Sequence, residues 1–269
     1  MTNIMVSYLY YFQLINVCLI IFFYKYFGSA FIRIISVVGK KDTGKTSLTV
    51  KIIKELKERG FKVATIKHSH HKMEMDREDT DTWKHKEAGS ETVVGIGSRT
   101  FFNIAKDLPL ERILFLIKVI EEPDFVVVEG FKNYKYSKIS TSKELEDEFT
   151  LKTVDAFNID ENELKFLVDI IERNSYDIID TLYTNECGYS DGESIGKAII
   201  NNEISYDPDD RDVYLSINEK VIGLNYFVNN FIKHSVVGML KSLKTKEYGI
   251  NKDNGFEKIE LIVNNKNNK

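Results

Sequence analysis

Short apolar runs alternate with amphipathic stretches through the middle of the chain. Phe31 to Val38 (FIRIISVV), Phe61 to Ile66 (FKVATI) and Asp124 to Glu129 (DFVVVE) are apolar, β-branched segments of strand length. Between them, Ser47 to Arg59 carries Leu48, Ile52, Ile53 and Leu56 at helical spacing. Leu110 to Ile120 repeats that spacing with Leu110, Ile113, Leu114, Ile117 and Ile120, started by Pro109 and stopped by Pro123. Asn162 to Arg173 predicts a further helix with Leu164, Phe166, Leu167 and Ile170 or Ile171 facing inward. Thr92 to Ile96, Ser137 to Ser140 and Leu151 to Phe157 read as additional strands, and a helix ends at Glu87 to Gly89. No internal repeat interrupts the series. The alternation over residues 31–180 predicts an α/β, three-layer domain with a mainly parallel sheet.

The flanks follow other rules. Met1 to Tyr24 contains no charged residue and is rich in aromatic and aliphatic side chains. Residues 6–27 are long enough to cross a bilayer, and they lack the charged start and cleavage site of a secretory signal. Residues 1–30 therefore have three readings: a membrane anchor, a buried extra helix, or sequence translated upstream of the natural start. No methionine falls between Met5 and Met73. Residues 181–269 predict a small α+β appendage. Val213 to Ile217 and Val221 to Leu224 form a hairpin after an acidic linker at Asp207 to Asp212. Phe227 to Leu243 is a helix with Phe227, Phe231, Val236, Met239 and Leu240 inward, Ile259 to Val263 is a last strand, and Asn264 to Lys269 is a polar tail. Dimerisation or docking a partner is the expected role of this part.

Composition narrows the class. The chain has 269 residues, 43% hydrophobic and 29% charged, enough for a sizeable core. A net charge of −4 gives no basic surplus, so nucleic acid is not an expected partner. Two cysteines, Cys18 and Cys187, exclude a disulfide framework and imply a reducing, cytoplasmic setting.

Candidate chemistry begins at Gly39 to Thr46, GKKDTGKT, which fits G-x-x-x-x-G-K-[ST] between a predicted strand and a predicted helix. In that context Gly39 and Gly44 let backbone N–H groups turn inward toward a phosphate, assisted by the helix N-terminus. Lys45 reaches the β- and γ-phosphates, and the Thr46 hydroxyl can ligate Mg²⁺. This is the pattern of a P-loop NTPase domain. The polar run Lys67 to Trp83 follows the second strand, where doubly wound sheets gather their ligands, and brings Asp76 and Asp81 within reach of that metal. His68, His70 and His71 are better placed for phosphate or surface contact than for converging on one ion. Glu129, at the tip of an apolar strand, is a second acid for the magnesium shell. No N-K-x-D stretch follows it, so the residues do not choose guanine over adenine.

GKKDTGKTS, TIKHSHH, MDREDTDTWKHKEAG and FVVVEGFK, in that order, together resemble molybdopterin-guanine dinucleotide biosynthesis protein B, the MobB family. The resemblance covers about residues 31–180. It implies a GTP-binding, homodimeric protein with at most weak GTPase activity that assists the molybdenum cofactor nucleotidyltransferase joining GMP to molybdopterin. Carried over by position, Gly39, Asp42, Thr43, Gly44, Lys45, Thr46 and Ser47 would hold the phosphates. Thr46, Asp76 and Glu129 would surround Mg²⁺. Lys45 would supply charge in catalysis, with Asp76 or Glu129 orienting water. His68 and Asp81 to Trp83 match a switch-like or interfacial loop. The sequence departs from the family at Asp79, usually a small residue such as glycine, and at Glu74, often aspartate. Asn185 to Tyr189 and Ser194 to Ile200 faintly resemble a four-cysteine iron–sulfur module of archaeal relatives, but with Cys187 as its one thiol no cluster is expected. Two other readings stay open. One is a metal-insertion GTPase using the histidines; the other is a small-molecule P-loop kinase, with Arg77 and Arg99 as its scarce loop arginines.

Overall fold

A computed structural model describes residues 16–22, 32–69, 73, 76–182, 188–205, 213–248, 250, 256 and 258–264. At its centre lie β2 (Arg33–Val38), β3 (Val63–Lys67), β6 (Phe125–Glu129), β7 (Lys138–Ser140) and β8 (Thr150–Thr153). They pair in the order β3-β6-β2-β7-β8, and every ladder is parallel. Alternation along the strands splits the core. Ile35, Val37, Phe125 and Val127 face α1 (Lys45–Glu58) and α4 (Glu161–Asn174), meeting Leu48, Ile52, Leu56, Leu167 and Ile171. Ile34, Val126 and Val128 face the other way, onto Leu110, Leu114 and Phe115 of α3 (Leu110–Glu121). Strands buried on both faces explain why their sequence is continuously apolar. Three layers result, as expected.

Inward faces are narrower than the spacing suggested. Ile120 and Phe166 are exposed, because helical positions 100° off the buried stripe point to water. The Lys152 ammonium lies 5.0 Å from the Phe166 ring centroid. The strand expected to run to Phe157 ends at Thr153. Thr92–Ile96 is strand β4, and Thr100–Ile104 is a strand, β5, that pattern reading missed. The two form an antiparallel ribbon outside the main sheet, next to the short helix α2 (Asp81–Glu87).

The apolar N-terminal run is used in an unexpected way. Asn16–Phe22 is a strand, β1; the remainder of residues 1–30, for which a membrane anchor, a buried extra helix and sequence translated upstream of the natural start were the three readings, lies outside the described residues. It lies inside a second, antiparallel sheet of order β10-β9-β1-β11, with β9 (Val213–Ile217), β10 (Lys220–Ile222) and β11 (Lys258–Asn264). A β-branched run such as NVCLIIF suits a strand paired on both edges. No described helix is long and apolar enough to cross a membrane. α6 (Tyr226–Ser242) packs on this sheet through Val228, Ile232, Val236 and Leu240. Phe227, Phe231 and Met239, expected inward, are exposed instead. The acidic linker at 207–212 and Cys187 lie outside the described residues.

The C-terminal elements share their core with the parallel sheet. Ile195 and Ile199 of α5 (Gly192–Ile200), Tyr214 of β9 and Val221 of β10 all join the cluster around Ile34 and Leu114. At that junction sits a buried ion pair: Lys118 of α3 lies 2.8 Å from Asp177, with side chains 3% and 4% exposed. The Tyr214 hydroxyl donates to the same carboxylate at 3.1 Å. Removing one member leaves the other charged and dry, so Asp177→Ala is expected to cost about 3–5 kcal/mol in urea unfolding. The double change Lys118→Met with Asp177→Leu is expected to recover most of that loss; equal instability of the two variants would show that the pair is not the junction's critical contact.

Candidate phosphate-binding site

The loop after β2 is held in a tight turn by its neighbours. A Cβ on Gly39 would sit 1.9 Å from Thr141 Oγ1 and 2.8 Å from Thr43 Oγ1, so no larger residue fits there. Thr43 Oγ1 donates to the Lys40 carbonyl at 2.9 Å and lies 2.6 Å from Thr141 Oγ1. Lys40 N donates to Ser142 Oγ at 3.0 Å. The segment after β7 therefore braces the loop from one side. From the other, Ala156 and the ring of Phe157 lie against Gly44, where a Cβ would come within 2.8 Å of Ala156 Cβ. Asp42 (φ 60°) and Gly44 (φ 79°) take left-handed conformations that curl the backbone. Gly44 is also the N-cap of α1, and its carbonyl accepts from Leu48 N at 2.9 Å. Without a side-chain cap, the first N–H groups of α1 keep their capacity for an anion.

Lys45 curls back and donates to the Lys40 carbonyl. Thr46 and Ser47 are exposed in the first turn of α1. Thr46 Oγ1 donates to Glu129 Oε1 at 2.9 Å. That contact joins the first turn of α1, which follows the loop after β2, to the end of β6, the strand beside β2. Glu129 is largely buried and also pairs with Lys67 Nζ at 3.1 Å. Beyond it Gly130 (φ 106°) and Phe131 (φ 53°) turn the chain, and the His68 ring packs 4.3 Å from the Phe131 ring. A hydroxyl beside a carboxylate is a hard-oxygen donor pair, which fits Mg²⁺ better than a soft metal.

Asp76 is held by its own neighbours. Its side chain bonds to Thr82, and accepts from Thr80 Oγ1 and Arg77 N at 3.0 Å each. These bonds, Thr82's first, hold the carboxyl below the usual aspartate range. Together with Met73, Thr82, Lys86, Phe101 and Phe102 it lines a cavity of about 570 Å³ between α2 and the ribbon. Among the described residues its bonds reach neither Thr46 nor Glu129. Asp81 is exposed in the first turn of α2, Trp83 N bonds to the Thr80 cap at 3.3 Å, and Arg99 sits in the ribbon's turn. His70, His71 and Glu74 lie outside the described residues. Asp79 explains one departure from the family pattern: it adopts φ 68°, the conformation a glycine supplies freely and aspartate tolerates.

Sequence reasoning passed over Lys67, Thr141 and Ser142. Lys67 carried a signal, standing one residue before His68 in TIKHSHH; Thr141 and Ser142 continue a run of small polar residues at a strand end.

Residues 34–159 match the family described as molybdopterin guanine dinucleotide synthesis protein B. Three relatives are named as molybdopterin-guanine dinucleotide biosynthesis adapter proteins. One from Methanocaldococcus jannaschii is 27% identical over 226 residues, 79% of this chain and 92% of that protein. One from Haemophilus influenzae is 36% identical over 110 residues, 40% of this chain and 62% of that protein. One from Bacillus subtilis is 30% identical over 129 residues, 47% of this chain and 72% of that protein. The first of these matches extends past the parallel sheet into the C-terminal elements.

Gly39→Ala should destabilise the protein by about 1–3 kcal/mol in thermal or urea unfolding, since a methyl cannot share space with Thr141 Oγ1. Adding Thr141→Ala should return part of that stability, and no return would mean that the loop is not braced through this contact.

Proposed function

The chain belongs to the MobB family, and from that membership we propose that it is a GTP-binding adapter which assists attachment of GMP to molybdopterin in molybdenum or tungsten cofactor assembly. Its relatives' names support a role in molybdenum cofactor biosynthesis. The observation that carries the nucleotide part is the 2.9 Å bond between Thr46 and Glu129 at the mouth of a glycine-braced loop.

In this reading the curled backbone of residues 39–44 and the start of α1 donate N–H groups to the triphosphate, and Lys45 and Ser47 flank it. Lys45 exchanges its bond to the Lys40 carbonyl for phosphate oxygens. Thr46 and Glu129 would hold Mg²⁺, which neutralises charge on the phosphates when bound. Catalysis, where it occurs, then rests on positioning and electrostatics, which suits slow turnover and a switch-like role. Asp76 lines the 570 Å³ cavity, and in this reading it is the third member of the metal shell, carried over from the family resemblance. The nucleotidyltransferase is the proposed partner.

Homodimerisation is part of the proposal. β4 and β5 pair only with each other among the described residues, and Val94, Ile96, Phe101, Phe102 and Ile104 are exposed on them. Isolated apolar ribbons are marginal in water and invite pairing with a second copy.

Lys45→Ala is expected to weaken GTP binding, measured with a fluorescent GTP analogue, by about a hundredfold. Unchanged affinity would remove the phosphate loop from the mechanism. For the dimer, Phe101→Asp should shift sedimentation equilibrium toward monomer while GTP affinity stays the same. A wild-type monomer would remove the homodimer from the proposal, and a variant that remains dimeric would move the interface off the ribbon.

A further inference from the structure

One oxygen of Glu129 serves two donors, the Thr46 hydroxyl at 2.9 Å and the Lys67 ammonium at 3.1 Å. The arrangement follows from register, since Lys67 and Glu129 are level partners on β3 and β6. The ladder continues one residue on, with His68 N donating to the Glu129 carbonyl at 2.9 Å. A Cβ on Gly130 would approach His68 to 3.2 Å, so these two strand ends are closely seated. The backbone of Lys67 is thereby fixed, while its side chain remains 51% exposed against 12% for Glu129. A fixed root with a flexible, solvated stem suits a charge that moves between partners.

We propose that Lys67 is an internal counter-ion for Glu129, which must be given up before a divalent cation can settle beside Thr46. The proposal rests on the metal–nucleotide reading above and adds a regulatory residue to it. An ammonium and a divalent cation repel when both are drawn to one carboxylate oxygen. Lys67 therefore raises the metal concentration at which the site fills. In the metal-free protein it also keeps a bare carboxylate from facing an incoming triphosphate. By linkage, phosphate that attracts Lys67 away from Glu129 must tighten metal binding by the same factor that metal tightens phosphate binding.

Mn²⁺, a paramagnetic stand-in for Mg²⁺, can be titrated into nucleotide-free protein and the free ion counted by electron paramagnetic resonance. Lys67→Met is expected to bind Mn²⁺ about tenfold more tightly than wild type. Lys67→Arg, which keeps the charge, should stay near wild type, and Glu129→Gln should lose the site. Equal or weaker Mn²⁺ binding by Lys67→Met overturns the proposal, as does absence of binding to both chains. A fluorescent GTP analogue then separates the two readings. In chelator, Lys67→Met should lose more nucleotide affinity than it does in excess Mg²⁺; equal losses in both conditions make Lys67 a plain phosphate contact. A Lys67-dependent Mn²⁺ site without any GTP binding would keep the counter-ion and sink the nucleotide reading.

Discussion

Parallel pairing of β2 with β6 is the constraint from which the site follows. Two adjacent strands running the same way must end at the same edge of the sheet. The loop after Val38 and the carboxylate at Glu129 are therefore delivered to one place, although 83 residues of chain separate Thr46 from Glu129. Neither segment needs flexibility to find the other. β3 adds Lys67 at the same level on the far side of β6, and β7 adds Thr141 and Ser142 beyond β2. Four parallel strand ends thus furnish an acid, two cations, a hydroxyl and a braced loop along one edge.

This is why so much of the site was legible in the sequence. A phosphate loop is a local pattern, and β2, β6 and α1 have strong periodicity because the sheet is buried on both faces. Glu129 could be read from its position at the end of an apolar run. Asp76 is harder to place because the segment around it is polar and carries no period. Its place near the metal was expected from strand topology and from the family resemblance, and its side chain bonds to Thr80 and lines the cavity beside the ribbon. Lys67, Thr141 and Ser142 escaped for a related reason. Their roles come from register across strands distant in sequence, and one chain read in isolation does not reveal which strands are neighbours.

The flanks show the opposite failure. Residues 16–22 are apolar enough to suggest a membrane or buried helix, yet composition alone does not distinguish a helix from a strand paired on both edges. Their partners, β9 and β11, lie about 200 and 240 residues away in sequence, beyond any local signal. The exposed Phe227, Phe231 and Met239 are a second instance. Helical spacing identifies an amphipathic element, but two apolar stripes on α6 compete, and only the sheet decides that Val228, Ile232 and Val236 face inward.

The buried Lys118–Asp177 pair connects the parallel sheet's helix α3 to the second sheet. Lys118 lies on α3, the helix that runs directly into β6 and so toward Glu129. Asp177 follows α4, and Tyr214 belongs to the second sheet, so one carboxylate fastens three separate parts of the chain. Lys258 of β11 adds a further hold, donating to the Val119 carbonyl at 2.7 Å and pairing with Glu122 at 3.0 Å. α3 is thus gripped on its outer side by the second sheet while its inner side packs on β6. Such burial of charge does little for net stability, because desolvation offsets much of the attraction. What it does supply is geometric definition. A helix fixed from both sides leaves the strand that follows little freedom to slide. A sub-ångström register at Glu129 is what a hydroxyl–carboxylate pair at 2.9 Å demands. The second sheet therefore bears on the candidate site through α3 and the start of β6.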